Sequence, residues 1–290
     1  MSYTYKYPHP AVAADCVVFG FDGRDMQVLL IERGFDPFKG YWAFPGGFMK
    51  IDESAEECAR RELQEETTLK VQILKQLGAF SSVHRDPRER VISIAFYALV
   101  RPSEVKGGDD ASQARWFPLR DVPQLAFDHD YILRKAMQRL REDIYFEPVG
   151  FELLDREFTM SELQRLYEAI LGVRFDRRNF EKKMLQTGIL QLAEDVDDEY
   201  GILEDVHPMV CESAPSYNIS KSKPHASAKK DFFGSKQEMK TMSIDALFSA
   251  ADSPLVSQSP KKVGRKGRKF SFNKEKYEHF KQNNNFRFEF

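Results

Sequence analysis

Apolar and polar positions alternate between two regimes along the chain. Ala11–Phe19 is β-branched and apolar, and Gln27–Glu32 is a second strand-like run; the Asp-Gly chemistry in Gly20–Asp25 between them predicts a hairpin. Arg33–Gly40 reads as a loop, and Tyr41–Phe44 leads through Pro45 into a glycine pair. Val71–Phe80 predicts a strand, Ser82–Arg90 a polar loop, and Val91–Val100 the longest strand, apolar almost throughout and therefore central. A turn at Lys106–Asp110, a short strand at Arg115–Leu119 and a helix at Tyr131–Arg141 follow. Strands outnumber helices and the helices interrupt them singly, which makes a mixed α+β sandwich over residues 1–145.

The pattern changes after Tyr145. Thr159–Leu171 is a helix with Thr159 and Glu162 spaced as a capping box and Gly172 as its stop. Phe175–Thr187 is a second helix, opened by Asp176 and closed by Gly188, so residues 146–203 read as a helix-turn-helix with a first wing strand at Ile189–Ala193. Residues 204–260 lack the density of apolar positions that offsets ordering entropy and are expected to be a disordered insertion, with Ser243–Ala251 as a transient helix or docking segment. Order is expected to resume over 261–290, with a basic turn entering a wing strand and a helix at Lys274–Gln282.

One stretch breaks the rules of plain folding. In Gly46–Leu69, Ser54 and Glu57 form a capping box, and Ala55, Cys58, Ala59 and Leu63 share one helical face. A step of about 100° per residue puts Glu62 and Glu66 within that apolar stripe and Glu65 at its edge. A buried unpaired carboxylate costs several kcal/mol, so a cation belongs there. Arg61 offsets one charge; a divalent ion with oxygen ligands, Mg²⁺ or Mn²⁺, suits the rest.

The same stretch resembles the Nudix box, with Gly47, Glu53, Arg61, Glu62, Leu63, Glu65, Glu66 and Leu69 in register. Its second glycine is Thr68 here. A β-branched residue resists the left-handed conformation that glycine would take, so an altered exit turn is expected with the carboxylate face intact. The resemblance implies hydrolysis of a nucleoside diphosphate linked to another moiety, such as ADP-ribose or a nucleotide sugar. It also implies metal ligation by Glu62, Glu65, Glu66 and the carbonyl of Gly47, with Arg61 holding the glutamates. Glu53 serves either a second metal or the helix cap. Relatives often take a base from outside the box, and Asp86, Glu89, or Asp128 with His129 are the candidates here, although a lone loop histidine is more often structural. The candidate substrate contacts are Arg33, Phe44, Arg85, Asp86, Arg88 and His129. Arg85, Arg88 and Arg90 read equally as phosphate contacts or a solvated face. Tyr41, Trp42 and Phe44 could stack a base, but at least two of them are expected in the core.

Composition narrows the classes. The 290 residues carry a formal charge of −2, so any nucleic-acid surface is local. Three scattered cysteines argue for a reducing compartment and against a disulfide or zinc framework. The polar start is no secretory signal, no run has the length of a membrane span, and a cytoplasmic protein is expected.

The basic residues gather in the second half. Arg177, Arg178, Asn179, Lys182 and Lys183 lie on the second helix of the helix-turn-helix, while Arg265 and Arg268 belong to the basic wing, an arrangement suited to double-stranded DNA. Taken with segments such as DPRERVISIAFYALV, LAFDHDYIL and GRKFSFNKEKY, the chain resembles the Nudix-related transcriptional regulators, in which a Nudix α/β/α sandwich precedes a winged helix. The insertion departs from that pattern. Two functions remain open: a metal-dependent pyrophosphohydrolase carrying a DNA-binding module, or a regulator whose Nudix domain senses ligand without turnover. A homodimer is expected because such readers meet two-fold symmetric operators.

Overall fold

The computed structural model describes residues 6–105, 107, 111–149, 152–193, 268–282 and 288. A seven-stranded mixed sheet organises the first part. Strands β1 (Ala11–Phe21) and β2 (Met26–Arg33) form the expected hairpin, and β3 (Trp42–Ala43) extends it beyond β2. On the other side β1 pairs in parallel with β6 (Val91–Leu99), which pairs with β5 (Lys75–Phe80). Strand β4 (Gly46–Phe48) adds to β1, and β7 (Ala111–Pro118) to β2. Helix α1 (Ala55–Thr67) lies against β1 and β4, and α2 (His129–Asp143) packs through Ile132, Leu133, Ala136, Met137 and Leu140 into the main core.

The winged helix follows. A short strand β8 (Phe158–Thr159) precedes α3 (Met160–Leu171) and α4 (Arg177–Gln186). Then β9 (Leu190–Leu192) and β10 (Lys269–Phe272) pair antiparallel, with β8 on the far side of β10, and α5 (Lys274–Gln282) closes the unit. The core runs on without a break: Leu140, Ile144, Val149 and Leu153 share it with Leu163, Leu166, Tyr167 and Ile170 of α3. Arg141 reaches from α2 to donate to the Ile170 carbonyl at 2.9 Å.

Both capping boxes are present. Ser54 accepts from the Glu57 N–H and Thr159 from the Glu162 N–H, each glutamate returning to its cap backbone; Asp176 caps α4 through the Asn179 N–H. Gly172 ends α3 in the left-handed region at φ 70°.

Four expectations need correcting. Thr68 does not alter the exit turn: it takes the left-handed conformation itself (φ 63°, ψ 0°), and its N–H closes on the Gln64 carbonyl. Its neighbour Thr67 is buried and its hydroxyl donates to the Leu63 carbonyl at 2.5 Å, so the last turn is held from inside while Thr68 stays exposed. The strain is about 1–2 kcal/mol. Thr68→Gly is therefore expected to raise unfolding stability by about 1 kcal/mol, read as a higher urea midpoint at unchanged slope. Secondly, Val71–Leu74 is not strand, because Arg60 takes the carbonyls of Val71 (2.5 Å) and Gln72 (3.0 Å) in place of a sheet partner. Thirdly, His129 is not a loop residue but opens α2 and is buried. Fourthly, β4 and β8 were not foreseen, since two or three residues carry no periodicity and are strands only through their partners. The expected insertion 204–260, Ser243–Ala251 within it, and Arg265 lie outside the described residues.

Candidate functional site

Helix α1 delivers its carboxylates to the glycine pair. Glu66 is buried, and its Oε2 accepts the Gly46 N–H at 2.9 Å. One turn earlier, Glu62 presses on Gly47: a Cβ there would lie 2.3 Å from Glu62 Oε1. A Cβ on Gly46 would lie 2.4 Å from the Ala14 carbonyl oxygen. Only glycine lets the strand approach the helix so closely.

Arg61 ties the acidic residues together. Its guanidinium lies 2.6 Å from Glu53, 2.7 Å from Glu62 and 3.0 Å from Glu65. Hydrogen bonds from Arg61, then from the Lys50 N–H, hold the Glu53 carboxyl down at about 2. A folded-state pKa depressed from 4.5 contributes stability that is present above about pH 4.5 and is lost as pH falls toward 2. Glu53→Gln is expected to flatten the acid limb of a melting-temperature profile in that window. Glu62 moves the other way: burial raises its pKa, and Arg61 only partly opposes this.

The donor chemistry fits a hard divalent cation. A cation beside Glu62 would oppose the effect of its burial, and Glu66 and the Gly47 carbonyl are further oxygen donors at the same turn. Glu65 is the outlier, its side chain 42% exposed and turned to Arg61. Among the described residues no group of three acidic, histidine or cysteine side chains is gathered closely enough to hold a metal by itself.

Gly47, Glu62 and Glu66 line a cavity of about 460 Å³ together with Arg33, Arg85 and Arg88. The structure separates three arginines that the sequence treated alike. Arg85 is almost fully buried and forks onto Asp128 at 2.8 and 3.1 Å. Arg88 forks onto Asp86 at 2.7 and 3.0 Å; burial would raise the Asp86 pKa, but hydrogen bonds from Arg88 keep it lowered. Arg33 has no acidic partner among the described residues: its Nε donates to the Pro37 carbonyl at 2.9 Å and its guanidinium lies 4.8 Å from the centre of the Phe127 ring. Burial, then the neighbouring Arg88, lower its pKa. No carboxylate of the described residues reaches ion-pair distance, although Glu66, Asp86 and Asp15 act on the guanidinium from farther off, and this leaves Arg33 a candidate contact for an anion. The off-box carboxylates Asp86 and Asp128 are both engaged in ion pairs, and Glu89 is exposed.

Phe44 and His129 stack at 4.9 Å with an 11° interplanar angle, and the Phe44 N–H donates to His129 Nδ1 at 3.0 Å. The acceptor role of Nδ1 puts the proton on Nε2, and burial lowers the histidine pKa, so the ring is neutral. Phe44 and Trp42 belong to the core, whereas Tyr41 is 38% exposed. Phe35, Phe44, Phe48 and Phe127 all line the cavity, and Phe35 and Phe48 are the exposed ones.

Asp15 escaped the sequence analysis. It is buried on β1, receives the Ser93 hydroxyl, and lies 3.5 Å from Arg85 and 3.7 Å from His129 Nε2. The signal was there to read: one carboxylate in the otherwise apolar run AVAADCVVFGF.

In the winged helix, Arg177, Arg178, Asn179 and Lys182 are exposed on α4 while Phe180 and Met184 are buried beneath them; Lys183 is half-buried. Arg268, exposed, precedes β10.

Comparison with known proteins agrees with this division. The family model for the NUDIX domain matches residues 9–140, and that for the NrtR DNA-binding winged helix domain matches residues 150–201. The chain is 32% identical over 190 residues to the ADPR responsive transcriptional repressor NtrR of Acinetobacter baylyi, covering 64% of this chain and 76% of that one. It is 46% identical over 132 residues to the ADP-ribose pyrophosphatase of Methanocaldococcus jannaschii, covering 46% and 76%. Among solved structures, Shewanella oneidensis NrtR complexed with a 27mer DNA superposes with a TM-score of 0.55 at 30% identity, covering 66% of this chain and 89% of that one. The chain belongs to the Nudix family, in the group of Nudix-related transcriptional regulators that join a Nudix domain to a winged helix.

Proposed function

We propose that this protein is an ADP-ribose-responsive DNA-binding regulator whose Nudix domain retains metal-dependent hydrolysis of the diphosphate bridge. The observation that carries the reading is the one cavity lined both by the α1 carboxylates Glu62 and Glu66 and by Arg33, which has no ion-pair partner among the described residues, in a chain that also exposes a basic α4. A nucleoside diphosphate sugar matches this lining, a diphosphate for Arg33 and a flat base for the exposed Phe35 and Phe48. The Acinetobacter repressor and the Methanocaldococcus pyrophosphatase point to ADP-ribose as that ligand.

Glu62, Glu66 and the Gly47 carbonyl would hold Mg²⁺ or Mn²⁺. When bound, the ion neutralises the diphosphate and acidifies an attacking water. Arg61 keeps Glu62 aimed by holding it at 2.7 Å, and Arg33 orients the diphosphate. In the winged helix, α4 enters the major groove and its arginines and lysines, with Arg268 just before β10, meet phosphates. Two copies binding a two-fold symmetric operator make the working unit, acting in the cytoplasm where the DNA is.

The competing reading, ligand sensing without turnover, is favoured by one feature: Glu65 is drawn to Arg61 instead of joining Glu62 and Glu66. Incubating the full chain with ADP-ribose and Mg²⁺ and following AMP release separates the two. Binding without AMP release retires the hydrolase part. Arg33→Ala is expected to weaken ADP-ribose binding by about tenfold or more, the loss of a charged hydrogen bond, in isothermal titration. An unchanged affinity would remove Arg33 from the site.

A further inference from the structure

Asp15 has a geometry that support of Arg85 does not account for. Its carboxylate is asymmetric. Oδ2 receives the Ser93 hydroxyl and faces Arg85 and His129, each beyond 3.4 Å. Oδ1 receives no hydrogen bond from any described residue and lies against the Gly46 backbone, where an added Cβ would come within 2.5 Å of it. The side chain is nine-tenths buried, yet Asp15 is among the residues lining the cavity. An acceptor oxygen left without a donor on a largely buried side chain, and open to the cavity, is available to a donor on a ligand.

The position of Asp15 in the cavity narrows that ligand. Asp15, Glu66, Asp86 and His129 are buried lining residues, with the apolar Ile31, Ala43, Phe44 and Val91, whereas Phe35 and Phe48 are 61% and 41% exposed, so the buried group forms the floor and the two aromatics the mouth. Asp15 stands directly across Gly46 from Glu66. A phosphate brought against Asp15 Oδ1 would set two like charges together with no donor of its own to offer. A hydroxyl is neutral and donates.

We propose that Asp15 is the specificity-determining residue of the cavity floor, accepting hydrogen bonds from the hydroxyls of the sugar beyond the diphosphate and excluding a terminal phosphate. This rests on the nucleoside diphosphate sugar reading above and adds which end of the ligand goes inward. The base stays at the aromatic mouth, Arg33 takes the diphosphate, and the distal sugar reaches Oδ1. Asp15 is thereby a selector of sugar over phosphate, built into the strand next to the Nudix helix.

The test is isothermal titration of the full chain and its Asp15→Ala and Asp15→Asn variants with ADP-ribose, ADP and ATP, in parallel with melting curves. For the unaltered protein, ADP-ribose is expected to bind more tightly than ADP, and ATP more weakly than either. Asp15→Ala is expected to weaken ADP-ribose about tenfold or more while leaving ADP within twofold, so that the preference collapses. Asp15→Asn keeps the shape and one acceptor and is expected to weaken ADP-ribose less and to improve ATP. An equal loss for all three ligands would assign Asp15 to holding Arg85 alone and overturn the proposal. If the variants do not fold, the unaltered chain decides with an ADP-ribose analogue lacking the hydroxyls of the distal ribose: equal affinity for it and for ADP-ribose overturns the assignment, a tenfold loss supports it. Failure of the unaltered protein to bind ADP-ribose at all would instead defeat the ligand reading on which this one stands.

Discussion

Replacing Glu66 with glutamine is expected to lower AMP release from ADP-ribose by at least about 100-fold, since even indirect supports of a metal site cost 10- to 100-fold when lost. Glutamine preserves shape and an oxygen that can still accept the Gly46 N–H, now at 2.9 Å, so the strand–helix contact survives. What disappears is a buried negative charge. Removing a desolvated charge does not unfold a protein, and the melting temperature is expected to hold or rise. Glu65→Gln is the contrast: an exposed group already drawn to Arg61 is expected to cost far less. A reversed order of the two variants would show that α1 reorients when ligand binds.

The second large effect lies in the winged helix. Arg177→Ala, Arg178→Ala and Lys182→Ala combined remove three exposed cations from one helix face. If each meets a phosphate, the slope of log affinity against log salt becomes shallower by about 0.9 per contact. Three contacts give about 2.7, which at 0.1 M salt is a loss of about 500-fold relative to binding at 1 M. Fluorescence anisotropy of labelled DNA across a salt series measures both. Stability should change little, because Phe180 and Met184, the buried residues of α4, are untouched. An unchanged slope would mean that α4 does not face the duplex.

Local signals in the sequence translated directly into structure. Ser54 with Glu57, and Thr159 with Glu162, are reciprocal hydrogen bonds spanning three residues, so their spacing suffices to predict them. The direction of Glu66 was legible for the same reason: helical periodicity puts it among Cys58, Ala59 and Leu63, and it is buried there. Features that depend on distant partners were not legible. The three arginines of the cavity differ only in whether Asp128, Asp86 or no carboxylate lies opposite, and Asp128 is 43 residues from Arg85. Thr68 was misjudged because its strain was weighed alone, without the buried Thr67 hydroxyl that fixes the turn beside it. Asp15 was missed because a strand of small and apolar residues drew attention to its periodicity and away from its one exception. At least two of Tyr41, Trp42 and Phe44 are expected in the core from their place beside a strand, and the packing of Trp42 on Phe117 at 4.6 Å and of Phe44 on His129 puts two of them there.

One continuous core joins the ligand-binding half to the helix-turn-helix, with α2 running from His129 in the cavity to Arg141 on the last turn of α3. That continuity gives occupancy of the cavity a path to the DNA-binding surface. The central claim, that one ligand site governs DNA binding, is tested most directly by titrating ADP-ribose into the full chain bound to labelled DNA from its own promoter and following anisotropy. The account predicts a shift in DNA affinity of about 5-fold or more, the ordinary scale of allosteric coupling, and its disappearance in Arg33→Ala. Saturating ADP-ribose that binds the protein and leaves DNA affinity unchanged would contradict it.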